Sequence, residues 1–145
     1  MIDFHDLPEP GSQRSFARAT RAAGLIFVSG SSAPHDPSRG LHRGATAGEE
    51  VRNALVSIGT TLRDMGSDLD RIVQVTMLIS DPADYAACNA EYVKHFPGGL
   101  PARHTARFGV PTEAKVAFAC IALASAALAH DATGQTESVP YASVG

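Results

Sequence analysis

One segment restricts the fold more than any other. From Thr46 to Gly66 the chain reads "TAGEEVRNALVSIGTTLRDMG", in which Val51, Leu55, Ile58, Leu62 and Met65 recur at alternating spacings of four and three. That spacing lays a single apolar stripe along a helix. Thr46 and Glu49 form a capping box, each side chain closing the other's free backbone N–H, and Gly66 is placed to end the helix in a left-handed conformation. A helix with one apolar stripe must bury it against a second layer. Glu50, Arg52, Asn53 and Arg63 fall on the other side and are expected to be solvated.

The second layer is supplied by strands. "RIVQVTMLIS" directly follows the helix and its turn. Val73, Val75, Met77 and Ile79 share one face of it. Ile72, Gln74, Thr76 and Leu78 share the other, which is too apolar for bulk water. Both faces are therefore expected to be covered, one by helices and the other by another subunit. "SDPADYAACNAEYVKHF" opens with Asp81 as N-cap, Pro82 at the first helical position and Asp84 in the first turn. Its core-facing residues are expected to be Tyr85, Cys88, Tyr92 and Phe96.

Around these elements, "RSFARATRAAGLIFVSG" holds two short strand-like runs joined by Ala23-Gly24, a hairpin signal. A Pro/Gly/His-rich loop runs from Ser32 to Gly44. "HTARFGV" and "KVAFACIALA" are the last two strands. The order ββ–α–β–α–ββ predicts an α+β layer sandwich, with both helices on one face of a mixed sheet.

At 145 residues the chain matches the commonest single-domain size. A domain is expected over 1–128, with a small, polar, unpatterned tail over 129–145. The net charge of −3, with both signs interspersed, argues against a nucleic-acid partner, which calls for a basic face. Cys88 and Cys120 lack CxxC spacing and suit a reduced compartment as buried hydrophobes. "MIDFHDLPEP" has neither a basic nor an apolar leader region, and no run reaches the roughly 18–20 apolar residues of a membrane span. A cytoplasmic protein without a membrane partner is expected.

"GGLPARHTARFGVP" delivers Arg103 on a Pro-stiffened loop to the mouth of a buried strand. Taken with "FVSG", "DMGSDLDRIVQVT" and the N-x-x-Y of Asn89 and Tyr92, all in order, it gives residues 15–125 a form that resembles the RidA/YjgF family of reactive-intermediate deaminases. The resemblance implies a chorismate mutase-like fold, assembled as a homotrimer whose sheets line a central barrel, with active sites between subunits. It implies hydrolysis of reactive enamines and imines, such as 2-aminoacrylate, to 2-oxo acids and ammonia, with no metal or organic cofactor.

By the same resemblance Arg103 pairs bidentately with the substrate carboxylate, a geometry suited to a planar fork. Ser29, Gly30 and Ser31 line the pocket floor, and Asn89 supports the cleft from the second helix. The backbone carbonyl of Thr105 orients the attacking water. The chain departs from the family's pattern in two places. Ala117 and Ala119 stand where two glutamates belong, the second of which positions or deprotonates water. Phe16 replaces a site tyrosine and Arg18 a glutamine. His104 and Cys120 do not make up the loss, because strand alternation points them away from Arg103 and Ala119 respectively.

The lost glutamate and the added Phe16 imply a larger, more apolar cleft for a bulkier carboxylate substrate. The expected function is imine or enamine hydrolysis by a RidA-like deaminase. The alternatives are a non-catalytic relative that binds a small carboxylate and a pathway-specific tailoring enzyme.

Overall fold

Ala23 and Gly24 both take positive φ, 54° and 78°, as a two-residue hairpin turn requires. They join β2 (Ala19–Ala22) to β3 (Leu25–Ser32), with Ala22 opposite Leu25. The computed structural model describes residues 1–125, so the expected domain end at 128 and the tail at 129–145 lie outside the described residues. A short strand near the start, β1 (Asp3–His5), extends the hairpin by pairing with β2. After the hairpin come α1 (Ala47–Asp64), β4 (Ile72–Ile79), α2 (Tyr85–Tyr92), β5 (Ala102–Arg107) and β6 (Val116–Leu123).

The strands form one six-stranded sheet in the order β1-β2-β3-β6-β4-β5. Every pairing is antiparallel except β4 with β5, which is parallel. α1 packs on β3 and β6, and α2 lies beside α1. This is the expected two-layer α+β sandwich. Its core is the α1 stripe of Val51, Leu55, Ile58 and Leu62 against Ile26, Val75, Met77 and Phe118, all fully buried.

Three expectations are corrected. A bulge between Ile72 and Gln74 inserts one extra residue and reverses the alternation at the start of β4. Ile72 therefore turns into the core, at 8% exposed, and Val73 turns outward, at 43%. Glu50 is not solvated but buried, because the first turn of α1 abuts the entrance to β6. Its Oε1 accepts a hydrogen bond from the Lys115 backbone N–H at 2.9 Å. Tyr85 is outside the core, 43% exposed, whereas Cys88, Tyr92 and Phe96 are buried as expected. Tyr85 stands at the first position of α2, where its hydroxyl meets Arg103 Nη2 at 3.2 Å at the sheet edge.

The helix signals also acquire detail. Thr46 Oγ1 accepts from Glu49 N at 3.1 Å, while Glu49 Oε1 accepts from Ala45 N at 3.2 Å. The reciprocal bond thus lands one residue before the cap. Gly66 takes φ 87°, and Gly66 N and Ser67 N close the last carbonyls of α1.

Burial of Glu50 gives a stability test. Glu50→Ala leaves the Lys115 N–H without its acceptor and is expected to cost about 1–3 kcal/mol, whereas Glu50→Gln keeps an acceptor oxygen and costs less. Urea unfolding measures both, and an alanine variant as stable as the wild type contradicts this role.

Candidate functional site

The parallel pairing of β5 with β4 sets Arg103 opposite Val75 and His104 opposite Thr76. Arg103 is accordingly the second residue of a hydrogen-bonded edge strand rather than part of the proline loop before it. Val75 faces the helices, and Arg103 and Thr105 share that face. His104 is exposed on the other.

Four contacts define the Arg103 side chain. Its Nε donates to Thr105 Oγ1 at 3.0 Å, and its Nη2 donates to Tyr85 Oη at 3.2 Å. Its guanidinium carbon lies 4.8 Å from the centroid of the Tyr92 ring and 5.8 Å from that of Tyr85. Cation–π contact of this kind fixes the plane of a guanidinium while leaving its N–H groups free. No carboxylate among the described residues pairs with it. Because Thr105 occupies Nε, the open donors are those of Nη1 and the second hydrogen of Nη2. The donors left open thus lie at the end of the guanidinium.

Beside Arg103 lies a cleft of about 470 Å³ lined by Asn89, Tyr92, Val93, Leu100 and Pro101. Two buried polar atoms of that lining, Asn89 Oδ1 and Tyr92 Oη, have no hydrogen-bond partner. A buried polar atom left unpaired costs stability, so two of them beside an unneutralised cation mark a place built for a polar ligand. Burial pushes the Tyr92 phenol above its ordinary pKa. The Asn89 amide first, and then the charge of Arg103, hold the Tyr85 phenol below its ordinary value.

The other expected site residues fall elsewhere within the protomer. A bulge between Val28 and Ser31 contains Ser29 and Gly30. Ser29 Oγ donates to Ala17 O at 2.7 Å, tying the bulge to the segment carrying Phe16 and Arg18, and Ser31 Oγ donates to Ser29 O at 2.9 Å within the bulge itself. A Cβ on Gly30 meets nothing within 4 Å, which leaves the bulge open to solvent. Phe16 is half exposed. Arg18 pairs with Asp6 at 2.8 Å and borders a separate groove of about 860 Å³ between the N-terminal segment and α1.

Ala119 lies opposite Thr76, hence on the face of the sheet away from Arg103, in a shallow depression with Phe27 and Gln74. β3 and β5 are separated by β6 and β4, roughly 14 Å at the usual strand spacing. One protomer thus brings together Arg103, Thr105 and Asn89. It joins Ser29, Gly30 and Ser31 to Phe16 and Arg18 as a second group, and sets Ala119 apart from Arg103. Tyr85 and Tyr92 were not expected to belong to the site. Tyr92 had a signal, as the tyrosine of N-x-x-Y, but its helical spacing marks it equally well as core.

Comparison with known proteins decides the family. The sequence profile described as "Endoribonuclease L-PSP" matches residues 7–124. The chain belongs to the RidA/YjgF family. It is 30% identical over 114 residues to Reactive Intermediate Deaminase A, chloroplastic, of Arabidopsis thaliana, covering 78% of this chain and 60% of that protein. Against mitochondrial Protein mmf2 of Schizosaccharomyces pombe the identity is 33%, covering 74% of this chain and 86% of the relative. Against the mouse 2-iminobutanoate/2-iminopropanoate deaminase it is 32%, covering 65% and 69%. Yeast Mmf1 superposes with a TM-score of 0.73 at 24% identity, over 86% of this chain and all of that one. The YjgF-family protein NMB1025 of Neisseria meningitidis superposes with a TM-score of 0.70 at 25% identity, over 86% and 95%. The fold is the chorismate mutase-like fold of this family.

Among the described residues, no three His, Cys, Asp or Glu side chains gather closely enough to hold a metal, and no helix is long and apolar enough to cross a membrane. Both cysteines are buried. Burial raises the Cys88 thiol above its ordinary value and pushes that of Cys120 up to about 12. The thiolate is the reactive form. Native protein at pH 8 is therefore expected to resist iodoacetamide at both positions and to label fully once unfolded. Rapid native labelling counted by mass spectrometry contradicts this.

Proposed function

We propose that the protein hydrolyses a reactive imine or enamine that carries a carboxylate, releasing a 2-oxo acid and ammonia. The observation that carries this reading is Arg103, an unneutralised guanidinium fixed over Tyr92 beside two unpartnered buried polar atoms. Deaminase relatives at about 30% identity support the reaction class. The substrate carboxylate binds end-on at Arg103 through charge-assisted bonds. The imine N–H donates to Asn89 Oδ1, which otherwise lacks a donor. Water held by the Thr105 carbonyl adds to the C=N carbon. The carbinolamine then loses ammonia as its hydroxyl becomes the carbonyl group.

The working unit in this proposal is a homotrimer. The sheet face opposite the helices exposes Phe27, Val73 and Leu123 at 39%, 43% and 40%, an apolar surface suited to lining a central barrel. In this proposal assembly also supplies what one protomer lacks, because Arg103 on β5 and the Ser29-Gly30 bulge on β3 are three strand spacings apart in one sheet and a neighbouring subunit would bring a second bulge to Arg103. The substrate is a small molecule rather than nucleic acid, and the cytoplasm is the proposed compartment.

Val93 and Leu100 wall the cleft with apolar surface. With alanine at 119 and phenylalanine at 16, a bulkier side chain than that of 2-aminoacrylate is the better fit, as in a pathway-specific tailoring enzyme. Ala119 also favours a second reading, a non-catalytic carboxylate-binding relative, because losing a general base typically costs 10²–10⁴-fold in rate.

The test uses imines generated in situ by amino-acid oxidase from Ala, Leu and Phe, with loss of semicarbazone as the readout. Wild-type protein is expected to accelerate hydrolysis, fastest with the imines from Leu and Phe. Arg103→Ala is expected to lose about 10²-fold or more. An arginine-independent rate sinks the proposal. Carboxylate binding without any acceleration establishes the second reading instead.

A further inference from the structure

Tyr85 is the one side chain on Arg103 that the family pattern did not bring to notice. Its ring flanks the guanidinium, and its oxygen lies 3.2 Å from Arg103 Nη2. It stands at the first position of α2, one turn before Asn89. We infer that Tyr85 is a specificity-determining residue of the anion site, its hydroxyl donating to a carboxylate already bound end-on by Arg103. This inference rests on the proposed binding of a carboxylate at Arg103.

The donor and acceptor inventory carries the argument. A phenol oxygen has two lone pairs and one hydrogen. Arg103 Nη2 donates to that oxygen, and the Asn89 amide also acts on it as a hydrogen-bonding group that favours the phenolate. The bond from Arg103 fills one lone pair of the oxygen. Asn89 Oδ1 makes no hydrogen bond and so takes no proton from the phenol. The O–H is left to donate, and Arg103 Nη2 is already within hydrogen-bond reach of the same oxygen. A carboxylate oxygen bridging Nη1 and Nη2 therefore comes within reach of that hydroxyl. The site then offers three donors in a fan, two from the guanidinium and one from the phenol. Such a fan selects a planar two-oxygen anion.

The tyrosine is exposed at 43%, so it contributes little to the core and its hydroxyl can be removed without a cavity. The groups that act on it are Asn89 from its own helix and Arg103 from β5, and Tyr92 lies against the same guanidinium. Asn89 and Arg103 together lower its ionisation range. The sign follows directly. Below that range the neutral phenol donates and binding is full. Above it the phenolate has no proton to give and repels the carboxylate, so affinity falls as pH rises.

The experiment is calorimetric titration of the full chain with 4-methyl-2-oxopentanoate, a stable 2-oxo acid, across a pH series from neutral to alkaline. Wild type, Tyr85→Phe and Arg103→Ala are compared, with thermal melting to show that all three are folded. Tyr85→Phe is expected to raise Kd about tenfold at neutral pH, the usual size of one charge-assisted hydrogen bond, and to abolish the alkaline weakening. A merely structural role does not move that pH profile. If Arg103→Ala loses binding while Tyr85→Phe keeps both the wild-type Kd and the alkaline limb, the role of Tyr85 is overturned and the Arg103 site stands. If Arg103→Ala binds as well as wild type, or wild type does not bind, both are overturned.

Discussion

The parallel pairing of β4 with β5 is the constraint on which the site depends. Adjacent parallel strands cannot be joined by a tight turn and require a crossover. In this chain the crossover is α2 with its flanking turns. The element that makes the pairing possible is therefore obliged to lie over the strand it delivers. That obligation sets Tyr85, Asn89 and Tyr92 against Arg103. Because β5 ends the sheet, the same arrangement leaves the cleft open on one side. A guanidinium held by the Thr105 hydroxyl and two aromatic rings has little conformational freedom left to lose.

The two bulges serve different ends. The one at Ser29-Gly30 interrupts β3 where it runs beside β6, and a hydroxyl bond holds the interruption to the segment before β2. The one at Ile72 to Gln74 moves a valine from the core side to the uncovered face. Together with Phe27 and Leu123, that valine makes the uncovered face apolar. The helix layer covers one side of the sheet only, so the other side keeps these apolar side chains exposed.

Ala119 leaves its stretch of the sheet face opposite the helices uncharged, beside Thr76. The positive field of Arg103 is met within the protomer only by aromatic faces and neutral hydroxyls. Neither cysteine supplies a thiolate, because burial keeps both thiols protonated.

Much of this was legible in residue order. The stripe of α1, the Ala23-Gly24 turn and the alternation that separates Arg103 from His104 depend on contacts within a few residues, and backbone geometry makes such patterns decisive. The family motifs likewise named Arg103, Asn89 and Thr105. Other features were not legible. Glu50 has the same local signature as a solvated helix residue, and it is buried only because the entrance to β6 arrives against it from 65 positions later in the chain. Tyr85 has the spacing of a core residue, yet it stands at the helix start and meets Arg103, which arrives on β5 from 18 positions later. A bulge reassigns Ile72 and Val73 although their sequence alternates without a break. Local periodicity thus determined which elements exist and which residue types they carry. Tertiary packing alone decided which polar atoms lose water, since desolvation depends on what arrives from distant parts of the chain.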